Sequence, residues 1–305
     1  MFLLCMVDDD TLAEVLLRLP ITMRIVLAQC VCKQFSALAH KYNSFKALYI
    51  SSCGGDFRDT KEERNNMLRT LGNFHFLSTN SAGTLIEELK LRGHTVDLPP
   101  TPHLQRLNKL TLSNTLASTV KKLRKNIGAS KLKELKLSCV GGTTDITALL
   151  KASSNLERLS LCGLDPCIDM SKIIDGWRTV HDGNLPPLKV LSIDCLGDRK
   201  VPMHDLEKLN LDEIHCYEMR NIDKGYRLPS MRALRVNTTY LHNATVTENQ
   251  ISSLKTLVMS CPGLCNLTLV GRSKWADSSG SDGVTLVTHA MKTEFPHLNV
   301  KVHID

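Results

Sequence analysis

The residues in this 305-residue chain best suited to bind a metal or attack a substrate are its eleven cysteines and eleven histidines. A tetrahedral zinc site needs closely grouped ligands, most often Cys-x-x-Cys pairs. The nearest cysteines are Cys30 and Cys32, Cys162 and Cys167, and Cys261 and Cys265, and none has that spacing. A nucleophile needs a base within reach and a group that orients the base, and spacing alone selects none. Phosphate-cradling glycine loops, a His-Glu-x-x-His pair and a Gly-x-Ser-x-Gly elbow are all missing from the sequence. The expectation is a protein with no catalytic, metal or cofactor-binding residues. An odd number of scattered cysteines reads as reduced thiols used as small apolar side chains, in the cytoplasm and/or nucleus. Met1–Val7 is apolar but lacks a basic leader and an adequate apolar run, so it does not read as a signal peptide.

Charge narrows the partners. The net charge is +7, with 42% apolar and 23% charged residues, which excludes a disordered chain. The densest basic cluster, Lys121–Lys125, has no aromatic beside it, so it reads as a solvated helix face rather than a nucleic-acid contact. No apolar run reaches the ~18 residues that a membrane span requires. The expected partners are proteins, with neither nucleic acid nor membrane.

The elements that would position these residues are set by a repeat. Apolar residues recur at positions 1, 4 and 6 of a hexapeptide starting at Ile86, Leu107, Leu132, Leu156, Leu188, Leu206, Met231 and Leu264. Successive starts differ by 21, 25, 24, 32, 18, 25 and 33 residues, within the span of leucine-rich repeats. Positions 4 and 6 point to one face of a strand, and position 1 adds a third inward aliphatic. One such unit buries too little alone, but stacked units bury a continuous core. Apolar helical spacing at Ile146, Leu149 and Leu150, at Ile251, Leu254, Leu257 and Val258, and at Val284, Val287 and Met291 predicts returning helices. A final strand is expected near 298–302. The usual Asn or Cys at position 9 is replaced by Thr115, Val140 and Leu164, which predicts an irregular array without an Asn ladder.

Positions 3, 5 and 7 should face outward. They carry Lys90, Arg92, Lys109, Lys136, Arg158, Lys208 and Arg235 against Glu88, Glu134, Asp194 and Asp212, with no aromatic. An acidic protein segment is the ligand this balance suits, with Lys90, Lys136, Arg158 and Arg235 as candidate contacts. Both tryptophans, Trp177 and Trp275, fall in over-long repeats, where insertions often form binding loops. They complete the expected substrate-binding set.

Residues 7–50 do not fit the repeat. Thr11-x-x-Glu14 is a capping box after an acidic start, and Leu12, Val15, Leu16 and Leu19 share a helix face that Pro20 ends. Two more short helices are expected, over 22–29 and 32–40. Val7 to Pro20, ending Arg18-Leu19-Pro20, and then Val31-Cys32-Lys33-Gln34-Phe35, resemble an F-box. The likeness departs at Val7-Asp8, where the family has Leu-Pro, and at Phe35, where it has Trp. It covers about forty residues N-terminal to the repeats, so the whole chain resembles the plant type of F-box/leucine-rich-repeat protein.

The resemblance implies an α/β protein: a three-helix F-box-like module over 1–50, a connecting segment and first atypical repeat over 51–85, and an irregular leucine-rich-repeat solenoid over 86–305. Parallel strands would line its concave face, with helices and loops on the convex face. It further implies a non-catalytic substrate receptor of a cullin-based ubiquitin ligase. Val7, Leu12, Val15, Leu16, Leu19, Pro20, Ile25, Val31, Cys32 and Phe35 would bind a Skp-type adaptor and through it a cullin, while the repeats capture the substrate. The alternative is a leucine-rich scaffold with no ubiquitin role, its N-terminal helices capping the solenoid.

Overall fold

The structure, a computed structural model, describes residues 47–51, 86–93, 104–140, 143–163, 170–180, 182–196, 203–219, 222, 224–237, 248–271 and 280–304. The F-box-like residues and Trp275 lie outside the described residues. The chain divides into two units, one of residues 1–132 with 139–149 and the other of residues 133–138 with 150–305.

The first unit contains β1 (Ala47–Ser51), β2 (Glu88–Arg92) and β3 (Lys109–Ser113), in that order and parallel. The residue-50 boundary expected for the helical module falls inside β1. Helix α1 (Ala117–Asn126) follows β3. It buries Val120 and Leu123 and leaves Lys121, Arg124 and Lys125 in solvent, which is the solvated basic face expected of that cluster. Arg124 reaches Asp145 at 3.4 Å, and Arg124 and Lys125 complement the negative end of the helix.

The second unit carries seven parallel strands: β4 (Glu134–Ser138), β5 (Arg158–Cys162), β6 (Val190–Leu196), β7 (Glu213–Met219), β8 (Ala233–Asn237), β9 (Asn266–Gly271) and β10 (Asn299–Ile304). Each pairs with the next in sequence. Helix α2 (Thr143–Ala152) has residues 143–149 in the first unit and only 150–152 in the second, whose own returning helices are α3 (Met170–Val180), α4 (Met203–Glu207), α5 (Glu248–Met259) and α6 (Gly280–Glu294). Ile146, Leu149, Leu150, Leu254, Leu257, Val258, Val287 and Met291 are buried, as the helical spacing predicts.

The repeat's physics is visible strand by strand. Leu135 and Leu137 of β4 are fully buried, while Lys136 between them is exposed. In register they meet Leu159 and Leu161, and those in turn meet Leu191 and Ile193. Strands that hide one face in this way each contribute ~1.5–3 kcal/mol per inward Leu.

Two backbone devices recur. The carbonyl at position 2 of one repeat accepts two N–H groups from positions 2 and 3 of the next. Glu87 takes Asn108 and Lys109 at 2.9 and 3.0 Å, Lys133 takes Glu157 and Arg158 at 2.8 and 2.9 Å, and Arg232 takes Cys265 and Asn266 at 3.0 and 3.1 Å. Position 8 then turns the chain off the strand with positive φ: 128° at Gly93, 52° at Asn114, 50° at Cys139 and 57° at Gly163.

These devices correct one repeat. The hexapeptide expected at Leu206–Leu211 is not a strand. Leu206 lies in α4, and β7 begins at Glu213. Asp212 provides the doubly accepting carbonyl, for Arg232 and Ala233, so Leu211 is position 1 and Ile214 and Cys216 are positions 4 and 6. Register agrees: Ile214 meets Leu191 on one side and Leu234 on the other. Leu206 and Leu209 are buried as well, but from the helical segment. The over-long repeat before β6 also differs from expectation. It contains α3, which buries Ile173, Ile174 and Trp177.

Candidate functional site

The outward face of β4 to β8 carries rows of polar groups. Because the strands are parallel and in register, residues at the same repeat position form rows across the sheet. Position 5 reads Lys136, Ser160, Ser192, His215 and Arg235 from β4 to β8. At position 7, one pleat further along, stand Cys162, Asp194 and Tyr217. Neighbouring strands lie ~4.8 Å apart, so each row is graduated at that interval.

Local contacts hold the acids of this face. Asp194 accepts the backbone N–H of Gly163 through Oδ2. Glu213 Oε1 lies 2.7 Å from His215 Nε2. Lys136 and Arg235 have no ion pair among the described residues, and neither does Arg158, which stands in register with Glu134. Ser160 and Ser192 leave a floor of short side chains next to Lys136, and His215 stands between that floor and Arg235.

Cys162 and Tyr217 are tied to one another on this face. Ser160 Oγ lies 3.7 Å from Cys162 Sγ. Burial, with Asp194 adding to it, pushes the Cys162 thiol above its ordinary value, against the hydrogen bond shared with Ser160 and the charge of Lys136. Burial also raises the Tyr217 phenol, aided by Cys162 and Asp194 and opposed by Arg235. A thiol shifted in that direction is protonated at neutral pH, so it is a poor nucleophile.

The residues expected to bind substrate have separate fates. Lys136, Arg158 and Arg235 share the outward face of the second unit. Lys90 belongs to the first unit and is engaged by Glu88 at 2.8 Å. Trp177 is a correction. It is fully buried, and its indole N–H donates to the Leu150 carbonyl at 2.6 Å. Its place is the core, because α3 turns a supposed binding loop into a packed helix. Lys208 and Asp212 are corrections too, since neither lies at an outward strand position. Lys208 instead bonds the buried Asp205 at 2.9 Å, which also accepts Ser171 of α3.

Glu213, His215 and Tyr217 were hidden from sequence reasoning. The Leu-rich hexapeptide at Leu206 outscored the true strand, whose sixth position is Cys216. Two signals pointed to the true strand. Starting the repeat at Leu211 makes the neighbouring intervals 23 and 20, closer to one another than 18 and 25. A buried cysteine is also a normal small core residue. The correction places one aromatic, Tyr217, on a face expected to have none.

Among the described residues no group of three His, Cys, Asp or Glu could hold a metal, and no helix is long and apolar enough to cross a membrane. No family model matches the chain, and no curated protein matches it.

Proposed function

We propose that this protein is a non-catalytic substrate-recognition subunit of a cullin-based ubiquitin ligase. In this reading residues 86–305 form an irregular leucine-rich-repeat solenoid that captures a protein substrate. The F-box-like helices over 7–40 dock a Skp-type adaptor. The observation that carries the reading is the in-register parallel ladder with a strand and a return in each repeat, preceded in sequence by the Arg18-Leu19-Pro20 and Val31-Cys32-Lys33 motifs. Such a receptor raises the local concentration of its substrate beside a conjugating enzyme and makes or breaks no bond itself. The repeat face supplies the polar groups, and the expected adaptor face is apolar.

Co-purification of the full chain with a Skp-type adaptor tests the reading. Capture is expected for the wild type and is expected to be lost in Leu16→Asp with the repeat unit still folded. A folded wild-type chain that captures no adaptor would overturn it. The second reading, a scaffold with no ubiquitin role, is favoured by Val7-Asp8 standing where F-box sequences have Leu-Pro. The same capture experiment separates the two.

A further inference from the structure

We propose that the outward face of β4 to β8 takes an extended acidic segment of a partner protein, laid across the strands. Lys136 would clamp its carboxylates at one end and Arg235 at the other, with apolar side chains of the segment resting on Tyr217. The inference rests on the receptor reading in one respect, that this face is where the substrate sits.

Charge complementarity sets the chemistry of the occupant. Lys136 and Arg235 are the two cations of the position-5 row, and neither is ion-paired among the described residues. The acids between them are engaged from within the chain, Asp194 by the Gly163 N–H and Glu213 by His215. The face is therefore positive at its two ends, with Arg158 of β5 adding to the Lys136 end, and carries the carboxylates of Asp194 and Glu213 between them. The middle offers acceptors: carboxylates, two serine hydroxyls and the Tyr217 oxygen. A peptide with acidic residues at its ends and backbone N–H donors between them matches that order. A nucleic acid does not, because evenly spaced phosphates would be set against Asp194 and Glu213. Tyr217 is 40% exposed, beside Arg235, and Tyr and Arg are both residue types enriched in interface hot spots.

The row also fixes a length. Lys136 and Arg235 stand four strands apart in register, so their backbones are separated by ~19 Å. An extended peptide covers that distance in about six residues. Short side chains at Ser160 and Ser192 let its backbone come close. The site would therefore measure the interval between two acidic groups as well as their charge.

Fluorescence anisotropy with the full chain and labelled Gly/Ser peptides tests this. Each peptide carries two Glu-Glu pairs separated by one, five or ten residues, with and without a central Phe. The five-residue spacing is expected to bind best, and the central Phe to strengthen it. Lys136→Glu or Arg235→Glu should each weaken that peptide roughly three- to tenfold, and Tyr217→Ala should erase the gain from Phe. Thermal melting should find the charge-reversed variants as stable as the wild type. Equal affinity at all three spacings would overturn the proposal. So would binding of single-stranded RNA in preference to the peptides, or no binding by any acidic peptide. Adaptor capture is scored separately. Its failure, with spacing-selective peptide binding intact, removes the ligase reading and leaves an acidic-segment receptor. Its success without spacing selectivity removes this inference alone.

Discussion

Single side chains in this protein divide into those that hold the ladder and those that face outward from it. Leu135 is fully buried between strands, and Leu135→Ala is expected to cost roughly 2–5 kcal/mol in urea unfolding. Thr115 is the reverse case. It occupies position 9, is buried, and its hydroxyl has no hydrogen-bond partner among the described residues. Thr115→Val should be neutral or stabilising by up to ~1 kcal/mol, because a buried unsatisfied hydroxyl is itself a cost. Cys261 gives a pH signature. Burial pushes its thiol from 9.0 up to about 12. The unfolded chain loses that proton near the ordinary value while the native chain keeps it, so the native state binds more protons between the two. The contribution to stability is complete below pH 9 and lost as pH rises from there toward 12. Replacing Cys261 by Ala should flatten this alkaline part of the pH–stability curve, read by urea midpoints at each pH. Native Cys261 and Cys216 should also resist iodoacetamide at pH 8, where exposed Cys265 reacts.

Among the elements, the strands and the longer returning helices were legible from the positions of aliphatic residues. Leu and Ile at positions 1, 4 and 6 leave little choice of face, so β2 to β6 and β8 to β9 lie where the hexapeptides put them. The spacing failed where two elements carried the same aliphatic pattern. Leu206, Leu209 and Leu211 are all buried, yet only Leu211 enters the strand repeat. Local periodicity cannot tell inward residues of a short helix and turn from those of a strand, and only the backbone partners decide. Trp177 departs from expectation for a related reason: an over-long repeat says that residues are inserted, not whether they pack. The outward cations Lys136 and Arg235 were legible, while Tyr217 was not, because its visibility depended on the register of β7. That register has its own test. Ile214→Ala should cost roughly 2–5 kcal/mol, and Asn210→Ala, outside the strand, should cost under about 0.5 kcal/mol. The turns add another. A Cβ on Gly263 would sit 2.9 Å from the Pro229 carbonyl, a backbone atom that cannot rotate away. Gly263→Ala should lower stability by about 1 kcal/mol or more, measured by thermal melting.

For the molecule as a whole, the net charge of +7 stands beside a strand face that keeps its acids engaged and its two end cations unpaired. The connections between strands are where length varies, with repeat starts 20 to 33 residues apart once Leu211 is taken as a start. Loop closure grows only slowly with length. Six Gly/Ser residues inserted between Leu196 and Met203 should change the urea midpoint by less than the equivalent of ~1 kcal/mol, whereas the same insertion between Leu211 and Ile214 should unfold the second unit. The doubly accepting carbonyl that leads into β3 and into β5 to β9 has a wider consequence. It uses only backbone atoms, so it asks nothing of the side chains at positions 2 and 3 except that neither be proline, and none of them is. Exchanges at positions 3 and 5 leave that backbone link between repeats in place, whereas position 7 can add a side-chain link of its own, as Asp194 does to Gly163. Selection can rewrite the chemistry of this surface one residue at a time while the backbone link that presents it is inherited unchanged.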